Sequence, residues 1–253
     1  MKRAPLLALL LLSACPKRPL SFGPRGEITE ATELLAALQA RSQKLLRLQS
    51  QASVSGKSDR GSVSTGGLIA AARPASLKLE LDDFFGNPAA LLTTNGTVLG
   101  LYTAQNGVYA EGAASPANLA QLVPLDLPLA EAVDLLFGDP RPLAETPERF
   151  FVDRETRSYA LLFSNGDRHQ RLDLDTETWV PIRARVEGRS PYEARFDDPE
   201  GKSGLRVPTK VDIEAPTGRV SVSYRGLEVN PVLGADLFQP VAPPGAKRMG
   251  FPE

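Results

Sequence analysis

The sequence predicts an α+β protein built on antiparallel sheet, with about ten or eleven strands and three helices. Three observations carry this reading. Apolar and polar residues alternate with period two through most of the chain, as in Leu77-Lys78-Leu79-Glu80-Leu81, the mark of strands with one buried face. Asn-Gly stands between apolar runs at Asn95-Gly96, Asn106-Gly107 and Asn165-Gly166, and each reads as a hairpin because both residue types tolerate the positive φ of a type I′ turn. Helical spacing appears in only a few stretches, and the longest comes before the first strand.

Composition bounds the rest. Of the 253 residues 42 % are hydrophobic and 23 % charged, enough apolar material for a sizeable core in an ordinary globular chain. The formal net charge of −1 offers nothing to nucleic acid. With 22 prolines and 21 glycines the chain turns often. Cys15 is the only cysteine, so no disulfide can form and packing alone stabilises the fold.

Taken in order, the chain opens on Lys2 and Arg3, an apolar run from Leu6 to Leu12, and the close Leu12-Ser13-Ala14-Cys15. That is the layout of a secretory signal peptide over residues 1–14, too short to span a bilayer. Residues 15–26 are rich in proline and glycine and read as a flexible tether, able to reach about 35 Å when extended. Ile28 to Gln49 reads as an amphipathic helix with Leu34, Leu35, Leu38, Leu45, Leu46 and Leu48 on one face. Glu27, Thr29 and Glu30 suit its start, and Arg41, Lys44 and Arg47 its end.

A first meander follows: Ser50–Ser58, Gly61–Ala72, Leu77–Leu81, Ala89–Thr94, Thr97–Tyr102 and a strand from Val108. Asp83-Phe84-Phe85-Gly86-Asn87-Pro88 is a loop within it. Pro116–Val123 and Leu129–Phe137 are two short helices, the second punctuated by Pro128 and Gly138, and 139–148 is a loop. The second meander runs Tyr159–Phe163, His169–Leu174, Trp179–Val186, Tyr192–Phe196, Thr209–Glu214 and Arg219–Val229. Leu233–Phe238 is a last helical turn, and 240–253 a loose tail. Residues 27–239 are thus expected to form a single domain.

Catalytic chemistry has no candidate. His169, the only histidine, lies among Arg168, Gln170 and Arg171, as on an exposed strand edge. No G-x-S-x-G elbow occurs. Gly56-Lys57-Ser58 resembles the end of a P-loop, but Gln51 stands where the upstream glycine is needed. Asp173-Leu174-Asp175-Thr176-Glu177 lacks the glycine and spacing of a calcium loop. The pairs Asp82-Asp83 and Asp197-Asp198 fall in loops with nothing to set them face to face. The expectation is a protein that is not an enzyme, without metal or cofactor.

Leu12-Ser13-Ala14-Cys15 resembles the lipobox of bacterial lipoproteins, which implies a lipid anchor on Cys15. Pro16 is not the aspartate that marks inner-membrane retention in enteric bacteria, and this favours the outer membrane. The order of helix, meander, short helices and meander behind that lipobox is similar to the LolA/LolB superfamily of lipoprotein-localisation factors, over roughly Thr32–Pro244. The local pieces are Ala72-Arg73-Pro74-Ala75-Ser76 running into Leu77–Leu81, then Phe84-Phe85-Gly86-Asn87-Pro88, Asp175–Arg183, Arg206-Val207-Pro208 and Leu227–Pro231. The resemblance implies a curved, incomplete (half) β-barrel covered by helices, with a cavity for the acyl chains of lipoproteins or other lipids. It further implies a Gram-negative envelope location, a membrane-anchored acceptor or chaperone, and a periplasmic carrier as partner. On that reading Leu77, Leu79, Leu81, Leu172, Leu174, Ile182, Ala184 and Val186 line the cavity. The plain alternative is that these residues pack the sheet against the helix, and alternation looks the same in both cases. Phe84 and Phe85 would form a membrane-insertion loop, or tuck under the sheet's rim. The rival functions are a scaffold lipoprotein with a filled core, and an enzyme acting on lipid or cell-wall material.

Overall fold

A computed structural model describes residues 20–59, 61–121, 123–197, 199 and 205–251. Cys15, the leader and the lipobox lie outside the described residues. Among these, fourteen strands form one sheet. They are β1 (Arg47–Ser58), β2 (Gly61–Ala72), β3 (Ser76–Asp82), β4 (Pro88–Thr94), β5 (Val98–Thr103), β6 (Val108–Ala113), β7 (Arg149–Asp153), β8 (Ser158–Asn165), β9 (Arg168–Asp175), β10 (Pro181–Glu187), β11 (Tyr192–Asp197), β12 (Lys210–Ala215), β13 (Gly218–Val229) and β14 (Lys247–Gly250). Three α-helices are described: α1 (Thr32–Lys44), α2 (Pro116–Leu119) and α3 (Leu129–Leu136).

The strand order is β14-β6-β5-β4-β3-β2-β1-β13-β12-β11-β10-β9-β8-β7. Two meanders therefore meet where β1 pairs with β13, antiparallel from Leu48↔Val229 to Lys57↔Arg219. β14 departs from the antiparallel pattern, lying parallel to β6. Since β14 and β7 end the order without pairing to each other, the sheet is open. No described helix is long and apolar enough to cross a membrane.

Several expectations are corrected. Fourteen strands are described against the ten or eleven expected: the twelve runs read from the sequence each give a strand, and β7 (Arg-Phe-Phe-Val-Asp) and β14 (Lys-Arg-Met-Gly), which carry no period-two signal, form by pairing with β8 and β6. The first helix stops at Lys44 instead of Gln49. Leu45 donates its N–H to the Arg41 carbonyl at 3.0 Å, and β1 begins two residues later. Leu48, Ser50, Ala52 and Val54 are then buried alternately. Leu48 fits either period, and its partners Val229 and Ala71 decide for strand.

The Asn-Gly turns also differ from type I′, since only the glycines have positive φ, 92° at Gly96, 63° at Gly107 and 61° at Gly166. Asn95 Oδ1 instead accepts from the N–H of Thr97 and Val98, both at 3.0 Å, an Asx turn that satisfies the loop backbone.

The chain on either side of the body is docked on it. Of the expected tether, the described residues from 20 onward lie against the β9–β10 turn and β8. Thr176 Oγ1 donates to the Ser21 carbonyl at 2.6 Å, and Ile28 N–H to the Tyr159 hydroxyl at 3.0 Å. The rings of Phe22 and Tyr159 are 5.9 Å apart, and the Arg25 guanidinium lies 4.2 Å over Trp179. The last helical turn is the 3-10 turn Ala235–Phe238, and the tail after it, expected to be loose, carries β14. Pro240 packs over Gly100, where an added Cβ would stand 2.4 Å from the Tyr109 hydroxyl and 2.9 Å from Pro240.

Candidate functional site

The core has a full half and a hollow half. Around β8–β11 it is filled with Tyr159, Phe163, Tyr192 and Phe196, closed by Phe137 after α3 and by Leu34 and Leu38 of α1, all buried. Around β1, β2, β3 and β13 the inner residues are smaller: Val54, Ile69, Leu77, Leu79, Val220 and Val222. No aromatic residue occurs between Phe22 and Phe84. This stretch supplies α1, β1, β2 and β3, so the inner faces of these three strands carry only aliphatic and small side chains. At Gly67 there is no side chain, and an added Cβ would stand 1.8 Å from the Glu80 carbonyl oxygen.

The result is an apolar cavity of about 480 Å³, within the range of ligand pockets. Ser58, Gly61 and Ser62 at the β1–β2 tip and Asp82, Ala89 and Ala90 flanking the β3–β4 turn stand at one end, and the cavity is not enclosed. Ala132 and Leu136 of α3, with Leu119 and Val123–Leu125, form the helical wall.

That wall is fixed by polar contacts. The Tyr224 hydroxyl donates to the Leu136 carbonyl at 2.9 Å. Glu131 accepts from Tyr192 at 3.0 Å and from Arg168 at 2.8 Å. Beyond α3, Asp134 and Asp139 meet Arg41 of α1 and Arg73 of the β2–β3 corner. Arg73 approaches Asp139 Oδ2 at 2.6 Å and Asp134 Oδ1 at 3.2 Å, while Arg41 Nε stands 3.3 Å from Asp139 Oδ1. The half-exposed Arg141 adds a 2.7 Å contact to Asp134. Desolvation pushes the Asp134 carboxyl up to about 6, against the pull of Arg73 and Arg141. Three arginines and two aspartates thus join both helices to the sheet, and removing one partner would leave a buried charge uncompensated.

Of the residues assigned to the cavity from sequence, Leu77, Leu79 and Leu81 line it. Leu172, Leu174, Ala184 and Val186 do not: they are at most 1 % exposed in the full half, where the aromatic rings leave no space. Ile182 falls at a break in the β9–β10 register, between the pairs Pro181↔Leu174 and Arg183↔Asp173, and is half-buried outside the cavity. Sequence reasoning missed Ile69, Val54, Val220, Val222 and the helical wall. The gap in aromatic residues was the available signal.

Phe84 and Phe85 sit on the β3–β4 turn, 96 % and 85 % exposed, with rings edge to face at 5.5 Å. They do not tuck under the rim. The Asp83 carboxylate holds the turn, accepting from the N–H of Phe85 and of Asn87, each at 2.8 Å. These backbone bonds, Asn87 foremost, lower the Asp83 pKa. The pair therefore stands on a braced turn whose flanking residues Asp82, Ala89 and Ala90 line the cavity.

The other sequence candidates are placed elsewhere. His169 is exposed, 2.8 Å from the Ser164 hydroxyl. Asp175 caps the β9–β10 turn, accepting from Thr178 N–H at 2.7 Å. Asp173 is buried between Arg171 and Arg183, at 2.8 and 2.7 Å. Among the described residues no cluster of three or more His, Cys, Asp or Glu could hold a metal ion.

No protein-family model matches the sequence, and no curated protein matches it. Solved structures do match in shape. A LolA superfamily protein from Nitrosomonas europaea aligns with a TM-score of 0.56 at 12 % identity, over 83 % of this chain and 98 % of that one. A putative outer membrane lipoprotein-sorting protein domain from Vibrio parahaemolyticus gives 0.54 at 10 % identity, covering 83 % and 97 %. A DUF1329 family protein from Desulfovibrio piger gives 0.56 at 10 % identity, covering 82 % and 95 %. The chain has the LolA/LolB-like fold.

Proposed function

We propose that this protein binds hydrophobic ligands by their acyl chains, as a lipid-anchored acceptor or chaperone of the bacterial envelope serving lipoprotein localisation. The observation that carries the reading is an apolar cavity whose lining reaches Asp82, Ala89 and Ala90, the strand ends on either side of two exposed phenylalanines. A chain leaving a membrane touched by Phe84 and Phe85 would enter the cavity at that end without crossing water. Exposed aromatic pairs of this kind mark membrane or partner contact. Transfer needs no cofactor and no catalysis, because each methylene buried contributes about 0.8 kcal/mol. The fold shared with lipoprotein-sorting proteins supports the assignment, as does the lipobox-like Leu12-Ser13-Ala14-Cys15. In this reading the sheet is the wall of an incomplete barrel, Cys15 carries the anchor in the outer membrane facing the periplasm, and a periplasmic carrier delivers the ligand.

The filled β8–β11 half would serve a scaffold equally well; the hollow half separates the two readings. Titration of the protein from Leu20 onward with a fluorescent long-chain fatty acid should show saturable binding that a lipopeptide displaces. Leu79→Trp, which puts an indole into the cavity, should weaken that binding at least tenfold with the fold retained. Absence of binding by the well-folded parent would leave the scaffold as the reading.

A further inference from the structure

We infer that β7, the strand that ends the sheet, pairs with β7 of a second copy of this chain, antiparallel about a two-fold axis through Phe151. The strand order places β7 last, hydrogen-bonded to β8 on one side and, among the described residues, to no strand on the other. Such an edge offers its free backbone N–H and C=O groups to another chain. The opposite edge is blunted, because the four residues of β14 are exposed and include Lys247 and Arg248 with no carboxylate. Four strands, β8–β11, stand between β7 and the strands that line the cavity, so the pairing leaves the cavity of each copy free.

The sequence at the β7 edge is complementary to itself. In a sheet continued across a two-fold axis normal to it, inner residues face inner residues, so odd numbers pair with odd and even with even. Centred on Phe151, the run Glu148-Arg149-Phe150-Phe151-Val152-Asp153-Arg154 sets Glu148 opposite Arg154 of the copy and Arg149 opposite Asp153. Phe150 then faces Val152, and Phe151 faces its own counterpart. Every charge meets the opposite charge and every apolar residue an apolar one, and directly opposed pairs of both kinds stabilise antiparallel strands. Centred on Phe150 the register would set Arg149 against Phe151, and centred on Val152 it would set Phe150 against Arg154. Glu148, Arg149 and Arg154 are exposed and make no ion pair among the described residues. The strand itself is held in shape. Phe150 stacks on Tyr159 at 5.7 Å, Asp153 holds Arg171 at 2.5 Å, and the Arg149 and Arg171 guanidinium groups lie 5.6 and 5.8 Å from the Phe151 ring. Association therefore has little left to order.

The test is sedimentation equilibrium of the purified protein. A five-residue edge gives a contact of the smallest size class, so loading should extend to roughly 1 mM. A monomer–dimer equilibrium is expected. Glu148→Arg and Arg154→Glu each turn two attractions per dimer into two repulsions, and each should weaken the dimer at least about tenfold. Mixed in equal amounts the two variants should associate again, because the introduced charges then face each other and the native ones do likewise. Both sites are exposed, so the melting temperature of each variant should match the parent's. A monomer over the whole range, a dimer indifferent to both variants, or a mixture that fails to associate would overturn the pairing.

Discussion

Phe84 and Phe85 lose nothing to the fold if they are replaced, because neither side chain packs against it. Their double replacement by serine should leave the melting temperature within about 1 °C. Burying two phenylalanines is worth roughly 3–6 kcal/mol, so vesicle partitioning of the same variant should fall at least about a hundredfold. Equal partitioning would end the membrane role of this turn. Asp134 is the opposite kind of residue, buried and charged. Its carboxyl titrates near 6 in the folded protein and near 3.9 when unfolded, so between those values the folded state holds the extra proton. Its contribution to stability is present below about pH 4 and is lost as pH rises toward 6, on the order of 2–3 kcal/mol in all. Relative to Asp134→Asn, the parent should therefore gain stability as pH falls from 7 to 4, read from denaturant midpoints. A gap that is constant or shrinks would mean that the arginines outweigh desolvation.

Among the elements, the N-terminal linker departs most from its sequence signal. Proline and glycine between Pro16 and Gly26 suggest a free tether, yet Phe22 packs on Tyr159 and Ser21 accepts from Thr176. Those partners stand more than a hundred residues away, where no local pattern points to them. Phe22→Ala should cost about 1–2 kcal/mol and lower the melting temperature by roughly 2–6 °C in scanning calorimetry; no shift would mean that the linker is undocked in solution. Elements with a strong local signal were legible. β2 spans Gly61–Ala72, the bounds read from its sequence, and Pro128 and Gly138 bracket α3. The end of α1 was not, because Leu48 fits the helical spacing from Leu45 as well as the strand alternation that follows, and cross-strand partners choose between them. β14 was illegible for a related reason: its four residues carry no apolar pattern and depend wholly on the edge of β6.

At the scale of the whole molecule, alternation located the inner face but could not say which part of it is hollow. Leu79 and Leu172 look alike in sequence, each an inner leucine in an alternating strand, and they end in opposite environments. The difference lies in what faces them across the core, which is set by where the aromatic residues fall along the chain. The aromatic-packed part of the core is built from residues 137–196, and the cavity lies among aliphatic side chains of β1, β2, β3 and β13. Trp179, the only tryptophan, belongs to the first of these, beneath Arg25 of the linker and away from every residue that lines the cavity. Its emission should accordingly respond to release of the N-terminal segment and stay unchanged on addition of a fatty acid, as fluorescence spectra of the parent would show. The protein thus carries an optical probe of its linker that stands outside the cavity.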